Sequence, residues 1–147
     1  MILHKQEADM NTYLKQFIVV ASVLLFTGSF SFSDVGGVKA DLTATKAHPN
    51  ANGTAHFKDG KIDIQTKGLK PDSVYTVWFV NMKPKKHETG AGQPPYMFKT
   101  DSNGNGTYAS ALNESPVGKW EMIMIVLHPD GNPADMKNMI GALKAKL

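Results

Sequence analysis

Asp59-Gly60 sits between two runs that alternate apolar with polar side chains, residues 53–58 (Gly-Thr-Ala-His-Phe-Lys) and residues 61–66 (Lys-Ile-Asp-Ile-Gln-Thr). A two-residue type I′ turn needs positive φ at both central positions, which an Asp-Gly pair tolerates, so this stretch predicts an antiparallel hairpin. The β pattern extends in both directions. Leu42 and Ala44 alternate with polar neighbours over residues 41–46. Gly68-Leu69-Lys70-Pro71-Asp72-Ser73 is a turn cluster that delivers residues 74–82 (VYTVWFVNM), the most β-prone run in the chain. Residues 96–100 and 107–112 flank a Gly/Asn turn, and residues 120–128 (WEMIMIVLH) form the seventh run. Seven short strands with turn signals between them predict an all-β antiparallel sandwich.

The tail reads differently. Asn132 as N-cap, Pro133 at the first helical position, Asp135 in the first turn, and Met136, Ile140, Leu143 and Leu147 at helical spacing predict a short C-terminal helix from about residue 133. It also answers a packing question. Residues 74–80 and 120–128 are apolar on both pleat faces, whereas an antiparallel sandwich strand shows water one face. The helix, a partner protein or a second copy of the chain would cover the outer face.

Upstream, Lys15, the apolar run at residues 17–26 (FIVVASVLLF) and Val38-Lys39-Ala40 form the charged, apolar and small-residue parts of an export signal. Glu7 and Asp9 precede the apolar run, which makes Met10 the alternative start. Residues 1–40 are therefore expected to be a signal peptide and residues 41–147 one domain, with a cut after Ser33 as the second option. An uncleaved anchor is the competing reading, but residues 17–32 fall short of the roughly 20 apolar residues of a membrane span. The expected location is periplasmic or secreted, with membrane association only if the segment is retained. Cleavage at Ala40 leaves 107 residues without a cysteine, so disulfides and thiolate metal sites are excluded.

The pattern Gly68-Leu69-Lys70-Pro71, three residues, then Tyr75-Thr76-Val77-Trp78 resembles the extracytoplasmic domain of anti-sigma-K-type factors and a set of exported β-sandwich proteins. The resemblance covers about residues 53 to 128. It implies an immunoglobulin-like sandwich rather than a regulatory activity, because the motif describes a turn leading into a core strand. The hairpin from Gly53 to Gly68 is also similar to the opening of copper/zinc superoxide dismutases. There the next strand should carry an H-x-H pair; Val77-Trp78-Phe79 stands in that place, so dismutase activity is rejected.

Residues 41–147 carry 13 lysines against 10 acidic residues, and the chain has no arginine. Bidentate readers of phosphate or guanine use Arg, so nucleic acid is not an expected partner. Lys83, Lys85 and Lys86 lie in the long loop at residues 83–95, the one connection long enough to suggest a role in binding. Residues 41–147 also hold six methionines and four histidines. Thioether and imidazole suit Cu(I), and Met97, Met122, Met124 and His128 are the candidate metal ligands, with core filling as the alternative use of Met. Asp101-Ser102-Asn103-Gly104-Asn105-Gly106 matches the first half of a calcium loop, but Leu112 stands where its last carboxylate belongs, so a hairpin turn is expected. No nucleophile elbow, H-E-x-x-H or P-loop occurs. The expectation is a non-catalytic exported module without a cofactor that binds a protein partner or itself; the alternative is a periplasmic copper-binding protein.

Overall fold

The computed structural model describes residues 36–147, so most of the expected signal segment, including Met10 and Ser33, lies outside the described residues. Nine strands follow in chain order: β1 Val38–Ala44, β2 Asn52–Lys58, β3 Lys61–Lys67, β4 Val74–Asn81, β5 His87–Gly90, β6 Met97–Lys99, β7 Gly106–Ala111, β8 Met122–His128 and β9 Ile140–Lys146. All pairings are antiparallel, and the order is β5-β4-β8-β9-β1-β2-β3-β7 with β6 also on β4. This sheet curls into a half-barrel. Among the described residues there is no helix.

The β2–β3 hairpin forms as its sequence predicts. Asp59 and Gly60 have φ of 51° and 70°, and Ile62, Ile64 and Thr66 point inward while their neighbours face water. Across the half-barrel, Tyr75, Val77 and Phe79 of β4 and Ile123, Ile125 and Leu127 of β8 complete the core. The Gly-Leu-Lys-Pro turn is tied to β4 by Tyr75, whose hydroxyl accepts the Lys70 N–H at 2.9 Å. That bond explains the spacing between the turn and the tyrosine.

Three expectations are corrected: among the described residues the strands number nine, not seven, they form one continuous curled sheet rather than a two-sheet immunoglobulin-like sandwich, and the C-terminal helix is absent. Its capping residues act only locally, since Asn132 Oδ1 accepts the Ala134 N–H at 3.0 Å and Asp135 Oδ1 the Lys137 N–H at 2.9 Å, each making a turn. Residues 140–146 instead form β9, paired with β8 on one side and with Thr43 and Ala44 of β1 on the other. The register steps from Ile125↔Leu143 to Val126↔Gly141, a bulge at Ala142 that brings Ala142 and Leu143 into the core together. This break in alternation imitates helical spacing. Sheet pairing wins because β9 joins the two halves of the sheet and satisfies backbone groups on both of its edges.

The outer face of β4 and β8 is covered by its own side chains. The Trp78 indole N–H donates to Thr76 Oγ1 at 2.8 Å, and Thr76 Oγ1 lies 2.7 Å from His128 Nε2. Thr76 and His128 are buried on that face. β1 also bears on the export boundary, because Val38, Lys39 and Ala40 pair with Phe57, His56 and Ala55. A cut after Ala40 removes those three residues from the strand; a cut after Ser33 leaves it whole.

Candidate functional site

A half-barrel has two unpaired edges, and here they are β5 with β6 at one end of the strand order and β7 at the other. Along one stretch the chain seals the gap itself. The Tyr108 hydroxyl donates to the Ala91 carbonyl at 2.5 Å, the Gln93 N–H donates to Ser110 Oγ at 2.8 Å, and the Phe98 ring packs on Tyr108. Gly92 is required for this approach: it has φ of 102°, and a Cβ there would lie 2.2 Å from Ser110 Oγ. Burial raises the Tyr108 hydroxyl above its ordinary value, so it stays a neutral donor.

Along the other stretch the edges diverge. Between β5 and residues 112–120 opens a cleft of 430 Å³, lined by Phe79, His87, Thr89, Tyr96, Asn113 and Trp120 among others. The segment at residues 83–95, singled out as the long loop, supplies one wall because part of it becomes β5. Its neighbour Tyr96 has φ of 59°, uncommon outside glycine, and its carbonyl accepts the Val77 N–H at 2.9 Å. The Tyr96 ring lies over Gly90, where a Cβ would be 2.3 Å from the ring.

The floor is a ladder of rings. Phe57 packs on Phe79 at 6.3 Å, Phe79 on Trp120 at 6.2 Å, and Trp120 on His87 at 5.2 Å with 23° between planes. Trp120 is buried, while His87 is exposed. Glu88 and Glu114 add carboxylates to the lining, paired with Lys86 at 3.0 Å and with Lys119 respectively. The cleft thus combines apolar rings with paired charges and the Asn113 side-chain amide, the composition of a site that orients a ligand by a few polar contacts. No sequence signal marks it, since Phe79, His87, Tyr96 and Trp120 come from separate stretches of the chain.

The four proposed metal ligands share the outer face of the sheet. Met97 pairs with Thr76 and Met124 with Trp78, while Met122 and His128 stand at opposite ends of β8. Six residues at about 3.4 Å each put those two about 20 Å apart, beyond the reach of one ion. Met122 and Met124, two residues apart, are close enough to share one. His128 Nε2 is engaged by Thr76, and its Nδ1 is buried without a partner. Among the described residues no group of three or more His, Asp and Glu side chains gathers to hold a metal. Asp101 is committed to its own turn, its Oδ1 accepting the N–H groups of Asn103 and Asn105 at 2.9 Å each.

A second cleft, of 420 Å³, opens beside His48, Leu69, Leu127 and Ile140. His48 Nε2 lies 3.1 Å from the Tyr75 hydroxyl, and its Nδ1 is buried without a partner. Burial lowers the His48 pKa from 6.5, keeping the ring neutral. No family model, curated protein or solved structure matches the chain, so any function must be argued from this geometry.

Proposed function

We propose that this chain is a non-catalytic, exported binding module built on the half-barrel sheet, acting in the periplasm or outside the cell through the cleft between β5 and residues 112–120. One observation carries the reading: an exposed His87 ring is held flat on Trp120 at the mouth of the cleft, where it stabilises nothing behind it that needs a histidine. An aromatic surface presented at an opening is a recognition feature when the rest of the ladder is buried. The test is site-specific photo-crosslinking in producing cells. A crosslinker at Thr89 or Asn113 should give a discrete adduct that one at Lys144, on β9, does not. Equal labelling at all three positions, or none at Thr89 and Asn113, sinks the reading.

A second reading is favoured by Met122 and Met124 lying two residues apart beside Trp78: a soft Cu(I) ion held by two thioethers. Stoichiometric Cu(I) uptake that is lost in the Met122→Leu plus Met124→Leu double variant supports it. Unchanged uptake in that variant removes it.

A further inference from the structure

The sealed stretch of the seam shows what the open stretch lacks. At residues 91–93 the chain itself fills the gap between the two edges, through Tyr108 to Ala91 and Gln93 to Ser110. At residues 87–90 none of the described residues fills the equivalent position, and the gap is the cleft. The orientation of β5 is settled by its ladder. Ala91 donates its N–H to the Val77 carbonyl at 2.9 Å, and β5 pairs Thr89 with Phe79 and His87 with Asn81. Alternate residues of an antiparallel strand aim their backbone groups at the same neighbour, so those of Thr89 and His87 face β4. The backbone groups of Glu88 and Gly90 therefore point away from β4, toward the open side, where the strand order ends.

Resting on the cleft reading above, we propose that the ligand is an extended peptide segment of a partner protein that adds to the free edge of β5 as the missing strand of the seam. Main-chain bonds to Glu88 and Gly90 supply the register, as in other cases of strand addition. Four residues of β5 offer about 13 Å of edge. Alternate side chains of the peptide then point to opposite faces. Those on the inner side meet His87 and the Trp120 edge and are bulky and apolar. Those on the outer side pass over Gly90 and the Tyr96 ring. The occupant is a peptide rather than a sugar because the opening runs along an unpaired strand edge, and because Trp120 is buried against Phe79 and His87 rather than laid open as a stacking platform.

The experiment uses the purified chain and a phage-displayed random heptapeptide library, with enriched peptides synthesised and titrated by calorimetry. Enriched sequences should carry apolar residues at every second position. Glu88→Pro deletes one outward N–H without touching the β4 ladder, a substitution that an edge strand accommodates. Glu88→Ala keeps that N–H. The proposal expects Pro to bind about tenfold more weakly than Ala. Equal affinity of the two variants, or no enrichment over a chain lacking the Trp120 ring, overturns it. If Glu88→Pro does not fold, amide exchange on the wild type decides, because bound peptide should slow exchange at Glu88 and Gly90; unchanged rates there overturn the proposal. Crosslinks at Thr89 together with equal Pro and Ala affinities would leave the cleft as a binding site and remove only the peptide.

Discussion

Two ladders of four aromatic rings cross the interior, and they end differently. The first runs His48, Tyr75, Phe98, Tyr108, with both ends tied by hydrogen bonds: the Lys70 N–H and His48 ring on Tyr75, and the Ala91 carbonyl on Tyr108. The second runs Phe57, Phe79, Trp120, His87 and finishes on an exposed ring in the cleft. Rings of similar size and packing thus serve two purposes. A ladder whose ends are tied holds the seam shut, whereas one ending in solvent offers a surface.

The sharpest break of this comparison is Tyr108→Ala. Removing the ring from the sealed stretch should lower stability by about 3–5 kcal/mol in denaturant unfolding, as for other buried aromatics, and should speed amide exchange at Gln93. A loss below about 1 kcal/mol would mean that the seam is held elsewhere. Tyr108→Phe keeps the stack and strands the Ala91 carbonyl, for an expected loss of about 1–2 kcal/mol.

Acidification tests the His48 end of the tied ladder. Because its folded pKa is lowered, the stability from keeping this ring neutral is full above 6.5, the unfolded value, and falls as pH drops from there through the folded value. Melting temperature should therefore decline from about pH 7 to about pH 5, and His48→Gln should flatten that decline. An identical slope in the variant would break the assignment.

The smallest effects belong to the open ladder's rim. His87→Ala should change stability by no more than about 0.5 kcal/mol. Glu114→Ala, which removes the exposed pair with Lys119, should cost less than about 1 kcal/mol. Larger losses at His87 would make it a structural end like Tyr108 and remove the contrast on which the cleft reading depends.

Much of the sheet was legible locally. Asp59-Gly60 and the alternation around it place β2 and β3 within a residue of where they lie, and the double-faced apolar runs mark β4 and β8 as strands covered on both faces. The demand for a cover over their outer face was also sound in part. The cover is Trp78 folded along its own strand to Thr76, which no periodicity reveals because it depends on one side-chain rotamer. β9 was missed because the bulge at Ala142 breaks the two-residue repeat, and β5 because four residues with one Gly carry no periodic signal. Placing Met122, Met124 and His128 on one face, with the two ends of β8 far apart, was within reach of strand parity and residue count. Bringing Met97 to the same face required the β4–β6 and β4–β8 registers.

Local pattern by itself determined the strand-forming class of this chain, the position of its tightest hairpin and the absence of any disulfide. Those follow from side-chain period, turn conformation and composition, which act within a few residues. Only the assembled sheet decided that the tail becomes a strand, that the two free edges meet over one stretch, and that they part along another. These outcomes depend on backbone pairing and ring packing between residues far apart in sequence, where local preference is outweighed by the need to satisfy every buried backbone group.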